Sequence, residues 1–206
     1  MNPDSGWRAL KRERVLENLS RAAITLATDG GGPDAVTVDA IAERAEVSRR
    51  TFFNYFPTKE AAFTWPLQAM VTHFIAALGA RPDDEPIWDV IHHAVEETLT
   101  SPDTDLALVA EADALVSASP ALLLVHDATA SGRLPLEEGM RALHAEFARR
   151  LPGDLTRDPA SMLVVECAAV ALRVSTSLCA RHGGDPRPHV ASVIDQLRNG
   201  IRPARH

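Results

Sequence analysis

The 206-residue sequence has few aromatic side chains (5%) and only two cysteines. It also lacks strand-like alternation and any apolar run of about 18 residues. It contains no Gly-x-Ser-x-Gly elbow, phosphate-binding glycine loop or dinucleotide fingerprint, so no nucleophile or cofactor cradle is visible. Neither an enzyme nor a cofactor is therefore expected. Cys167 and Cys179 are twelve residues apart. On one helix that spacing separates them by ~18 Å, against the ~7 Å between Cα atoms that a disulfide allows. They read as small core residues, and two unbridged thiols suit a reducing cytoplasm. The lack of a signal-like apolar start and of a long apolar run points the same way, to a cytoplasmic protein with no membrane span. His92 and His93 precede Glu96 and Glu97 by four residues, but two ligands do not make a metal site, and none is expected.

Excess positive charge is missing as well. The net charge is −7, which by itself argues against a nucleic-acid binder. Its distribution says more: residues 1–60 hold nine basic and nine acidic side chains, and the remainder holds 12 and 19. The basic residues of the first segment sit mainly at Arg8, Lys11, Arg12 and Arg14 and at Arg49 and Arg50.

What is present is a helical pattern. Hydrophobic residues make up 46% and charged residues 24%, ordinary for a chain that buries a core. Leu16, Leu19, Ala22, Ala23 and Leu26 mark one face of a helix over 8–28, and "DGGGPD" stops it. Thr37 is placed to cap a helix over 38–45, Ser48 a helix over 48–56, and Thr58 a helix from 59 to 79. Pro66 should kink that fourth helix or mark a late start. Further helices are expected over 85–99, 104–117, 120–150 (bent near "ATASGRLP"), 159–182 and 188–200. The module boundary should fall within the fourth helix.

Four of the ten aromatics lie in "VSRRTFFNYF", residues 47–56. At roughly 100° per residue, Phe52 and Phe56 share one side of a helix and can anchor it beside Ile41, Ala45 and Val47. Arg49, Arg50, Phe53 and Asn54 then face outward. That set suits DNA: arginine can donate two parallel hydrogen bonds to guanine, asparagine can read adenine, and an aromatic edge can meet a thymine methyl. The hydroxyls of Thr37, Ser48, Thr51 and Tyr55, the charge of Lys59 and the N–H groups at helix starts suit phosphates. Two short helices about a three-residue turn have the order of a helix-turn-helix.

The stretch "TVDAIAERAEVSRRTFFNYFPTKEAAF", residues 37–63, resembles the DNA-binding domain of the TetR family of transcriptional repressors. The resemblance rests on Thr37-Val38, Ile41-Ala42, Ala45, Val47-Ser48, Thr51, Phe52, Tyr55-Phe56 and Lys59-Glu60 in fixed register. It covers about a quarter of the chain. It implies an all-α protein: a three-helix helix-turn-helix DNA-binding domain over 1–60, then a helical ligand-binding and dimerisation domain over 61–206. It implies that Thr37, Ser48, Tyr55 and Lys59 hold phosphates, and that Arg49, Arg50, Thr51, Phe53 and Asn54 face the major groove. Glu46 stands where the family commonly has glycine, and Phe53 where tyrosine is common.

The resemblance further implies a homodimer through helices near 159–182 and 188–200. The apolar, small-residue stretch "MLVVECAAVALRVSTSLC" independently suits close helix packing. Partners are then operator DNA and an unidentified small-molecule effector. Trp65, Phe74 and Trp88, with Met70, His73, His126, His144, Glu166 or Arg173, are candidate pocket residues, each individually more typical of core or surface. The expected function is a ligand-responsive regulator, a repressor by resemblance. The alternative is a small-molecule-binding protein of the same fold with weak or lost DNA binding, for which Glu46 and Phe53 are the support.

Overall fold

The computed structural model describes residues 3–124, 136–155 and 157–201. Among the described residues are nine α-helices, two 3-10 turns and no strand. The helices are α1 (Pro3–Asp29), α2 (Val38–Arg44), α3 (Arg49–Tyr55), α4 (Lys59–Gly79), α5 (Ile87–Thr100), α6 (Leu106–Ala118), α7 (Leu136–Arg150), α8 (Pro159–His182) and α9 (Pro186–Asn199). The protein is therefore all-α. Two departures from the sequence pattern stand out. α1 begins at Pro3, before the expected position 8, and places Arg8 to Arg14 inside a helix. The expected 120–150 helix is a 3-10 turn (Pro120–Leu124) and a separate α7; the intervening "ATASGRLP" lies outside the described residues.

The chain divides into two compact units, Met1–Ala69 with Glu111–Leu136, and Met70–Ala110 with Glu137–His206. In the first, Leu16, Leu19, Ala23 and Ile24 of α1 are buried with Ile41 and Ala42 of α2, Phe52 and Phe56, and Ala62 and Phe63 of α4. α1 ends where Gly30 N–H donates to Leu26 (2.9 Å) and Gly32 N–H to Ala27 (2.9 Å). Gly31 and Gly32 adopt φ of 91° and 108°, conformations a side chain would oppose. α4 does not start late: Thr58 Oγ1 accepts from Ala61 N–H at 3.2 Å, and the helix runs through Pro66.

In the second unit α5, α8 and α9 pack on one another. α5 buries Val90, Ile91, Ala94, Val95 and Leu99; α8 buries Val165, Ala168, Ala171, Leu172 and Cys179; α9 buries Val190 and Ile194. Asp158 caps α8 through Ser161 N–H (2.9 Å). Asp185 caps α9 through Arg187 N–H (3.1 Å). Arg150, nearly buried, closes the end of α4: its guanidinium donates to the carbonyls of Leu78 (2.9 Å), Arg81 (2.8 Å) and Pro82 (2.8 Å). Burial raises the pKa of both Cys167 and Cys179, which disfavours the reactive thiolate.

α4 and α8 are long and apolar enough, by composition alone, to cross a membrane, with mean hydropathy 1.2 and 1.7 over their most apolar windows. Neither is an unbroken apolar run: Thr64, Gln68, Thr72 and His73 interrupt α4, and Glu166, Arg173 and Ser175 interrupt α8. A helix core-packed on several sides needs the same composition, and α8 is packed against α5 and α9.

Candidate nucleic-acid interface

α2 starts on Thr37, whose Oγ1 accepts from Ala40 N–H at 3.2 Å. It ends in a Schellman arrangement: Val47 N–H donates to Ala42 (2.9 Å) and Glu46 N–H to Glu43 (3.1 Å). That closure requires a left-handed residue, and Glu46 supplies it at φ 55°. The chain then turns into α3, capped by Ser48, whose Oγ accepts from Thr51 N–H at 3.0 Å. Ser48 Oγ also lies 2.8 Å from Thr51 Oγ1.

α3 has two faces. Phe52 and Phe56 are 0% and 1% exposed, with ring centroids 5.9 Å apart. Ala45 and Val47, expected beside them in the core, are only half-buried. Arg49, Arg50, Phe53 and Asn54 are all exposed, and the Phe53 ring meets Phe52 edge-on at 5.5 Å. Thr37 and Ser48 are exposed, and Thr51, Tyr55 and Lys59 half-buried. The structure thus gathers the nine sequence-selected residues around one short helix and its flanks.

Three contacts were not evident from the sequence. Arg49 Nη1 donates to both carboxylate oxygens of Asp39, at 2.7 and 2.9 Å, while its guanidinium carbon lies 5.5 Å from the Phe53 ring centroid. Arg12 of α1 stands over the Tyr55 ring at 5.3 Å, bringing the basic start of α1 beside the end of α3. Lys59 Nζ donates to the carbonyls of Val36 (2.9 Å), Pro33 (3.0 Å) and Asp34 (3.4 Å). It thereby pins the loop that leads into Thr37. Each joins residues too far apart in sequence for a local pattern to signal.

Elsewhere, His93 Nδ1 pairs with Glu85 (2.7 Å) rather than with Glu97, and His92 lies 3.5 Å from Glu96. Of the candidate pocket residues, Trp65, Met70 and Phe74 are buried, His73 and Trp88 half-buried, and His144, Glu166 and Arg173 exposed; His126 lies outside the described residues. His73 lines a cleft of about 230 Å³ with Ala76, Ala77, Glu97, Thr98 and Ser101.

A capped helix, a tight turn and a second short helix with a buried aromatic side and an exposed arginine side define a helix-turn-helix of the DNA-binding kind. Residues 21–63 match the N-terminal domain of the bacterial regulatory proteins of the TetR family. In this N-terminal module the chain is similar to the TetR family of transcriptional regulators. The chain is 40% identical over 80 residues to the HTH-type transcriptional regulator TcmR of Streptomyces glaucescens, a match spanning 39% of this chain and 35% of the relative. It also resembles a transcriptional regulator from Rhodococcus sp. Rha1, at 19% identity and a TM-score of 0.49, covering 89% of this chain and 94% of the other. A looser likeness is to Thermus thermophilus FadR, a TetR family transcriptional repressor solved with lauroyl-CoA, at 20% identity and a TM-score of 0.36, covering 93% and 97%.

Proposed function

We propose that the protein is a homodimeric, ligand-responsive transcriptional repressor that places α3 in the major groove of a pseudo-palindromic operator. The observation that carries this reading is the two-sided α3. Phe52 and Phe56 are fully buried beneath it, while Arg49, Arg50, Phe53 and Asn54 are exposed. A rigid short helix with outward guanidinium and amide groups has the chemistry to read base edges. In this reading Thr37, Ser48 and Tyr55 contact phosphates, and Lys59 adds its charge while its protons remain on the loop carbonyls. Residues 1–60 form the DNA-binding part and 61–206 the effector-binding and dimerising part. The two α3 helices of a dimer would enter successive grooves roughly 34 Å apart. A small molecule bound in the C-terminal part shifts the dimer away from that spacing only if it binds the two states with different affinity. An acidic body outside residues 1–60 restrains non-specific binding, and a cytoplasmic location follows from the same role.

A second reading, a protein of this fold with weak or lost DNA binding, draws on one feature. Two of the cations at the interface, Arg49 and Lys59, are already engaged within the protein. A mobility-shift assay on the DNA flanking the protein's own gene separates the two. The first reading expects a sequence-dependent shift that Arg50→Ala weakens; no shift at any competitor-resistant concentration selects the second.

A further inference from the structure

The two adjacent arginines of α3 are held very differently. Arg50 is exposed, and among the described residues no carboxylate pairs with it. Arg49 is held on two sides. Asp39 binds its Nη1 through both oxygens, and the Phe53 ring lies against its guanidinium. We propose that Asp39 is a specificity-determining residue: it positions Arg49 for a guanine and withdraws that arginine's charge from the phosphates. This rests on α3 being the major-groove helix.

The argument begins with where the carboxylate stands. Asp39 lies in the first turn of α2, where the helix dipole favours negative charge. α2 is fixed from beneath by Ile41 and Ala42, 0% and 3% exposed, and from its start by the Thr37 cap. The carboxylate therefore projects from a rigid support. The Arg49 and Asp39 side chains are 60% and 68% exposed, and in water such a pair contributes little. A duplex laid over α3 removes that water, and the pair then strengthens as the local dielectric falls.

Geometry decides what is left of Arg49. With Nη1 on the carboxylate, its Nε and Nη2 donors carry no protein hydrogen bond among the described residues. Those two N–H groups form one edge of the planar fork, the arrangement that meets guanine O6 and N7. The Phe53 ring restricts rotation of the guanidinium plane. Charge decides the rest: a carboxylate on a DNA-facing surface repels every phosphate, and it cancels the contribution Arg49 would otherwise make to non-specific attraction. The division of labour is that Arg50 attracts any duplex and Arg49 selects among duplexes.

The test uses the full chain and a pool of random-sequence duplexes. The wild-type protein is used to select a site. Affinities for that site, for the same site with its Arg49-dependent guanine replaced, and for an unrelated duplex are then measured across a salt series. For Asp39→Asn, binding to the unrelated duplex should rise about 3–10-fold at low salt, with a salt dependence steeper by about 0.9 in log–log slope. Preference for the guanine should fall by about tenfold or more, the discrimination carried by a bidentate arginine contact. Arg49→Lys should lose the same preference, and the double variant no more than either. Arg50→Ala should weaken all three duplexes alike. The proposal is overturned if Asp39→Asn keeps the guanine preference, or if Arg49→Lys alters no position of the selected site. A wild-type protein that enriches no sequence at all overturns the major-groove reading itself, an outcome distinct from an enriched site that ignores Asp39.

Discussion

Ser20 in α1 donates its hydroxyl to the carbonyl oxygen of Ala62 in α4, 2.6 Å away in the buried interior. Pro66 stands four residues after Ala62 inside α4 and has no N–H to offer that carbonyl. The hydroxyl of one helix therefore supplies the hydrogen bond that the proline removes from the other. Ser20→Ala should lower unfolding stability by about 1–3 kcal/mol, because it orphans a buried acceptor. In a Pro66→Ala background, where an N–H is restored, the same change should cost markedly less. Denaturant unfolding of the four proteins measures the coupling, and additive effects would contradict the arrangement.

Glu46 occupies φ 55° in the turn between α2 and α3. A side chain there costs ~1–2 kcal/mol against the right-handed region, and glycine is free of that cost although it adds unfolded-chain entropy. Glu46→Gly should stabilise the protein by about 0.5–1 kcal/mol. Glu46→Val, with a β-branched side chain, should destabilise it. Thermal unfolding distinguishes these outcomes, and a glycine variant less stable than the parent would show that the Glu46 side chain makes compensating contacts.

Lys59 has its ammonium on three backbone carbonyls of the loop before Thr37. Lys59→Met keeps much of the stem but leaves those acceptors without their donor. It should destabilise the protein by about 1–3 kcal/mol and, through the displaced Thr37 cap and the lost charge, weaken binding to every duplex alike. Equal affinity for all duplexes with unchanged stability would remove Lys59 from both roles.

The local features were the ones legible in the sequence. Thr37, Ser48 and Thr58 announce their helices because a cap is a contact across three residues, and Phe52 and Phe56 announce the buried face because helical spacing sets both. Asp39 with Arg49, Arg12 with Tyr55 and Lys59 with Val36 were invisible, since each depends on how one helix lies on another. That α4 runs through Pro66 instead of starting after it was invisible for the same reason: the carbonyl of Ala62 that the proline leaves without an N–H is met by Ser20, 46 positions before Pro66 in the chain. The start of α1 at Pro3 is hidden because its first turns are polar, and polarity marks a solvated helix as readily as a loop.

Glu85 accepts from Arg81 Nε and Nη2 at 2.6 and 2.8 Å and lies 2.7 Å from His93 Nδ1. The Arg81 hydrogen bonds above all, with His93 adding to them, hold its carboxyl down to about 2. A carboxylate depressed in the folded state contributes stability above its unfolded pKa of about 4.3, and that contribution disappears as pH falls through the folded value. Between pH 5 and 2 the parent should therefore lose stability more steeply than Glu85→Gln, by less than about 1 kcal/mol since the group is close to solvent. Unfolding curves at several pH values measure the difference, and parallel slopes would rule out this contribution.

The exposed side of α8 carries Met162, Leu163, Glu166, Ala169 and Arg173, a stripe at helical spacing opposite the side packed on α5 and α9. Met162 and Leu163 are 47% and 63% exposed, unusual for large apolar residues beside so well packed a helix, and a second copy of the same face is what the proposed homodimer supplies. In a two-fold interface every substitution counts twice, so Leu163→Glu places two like charges in one apolar contact. It should leave the fold of each chain within about 0.5 kcal/mol, as expected for a surface position, yet shift the protein to monomers at micromolar concentration. Sedimentation velocity reads the mass, and a palindromic duplex should then be bound only as weakly as its half-site. A Leu163→Glu protein that sediments as a dimer would place the interface on another surface.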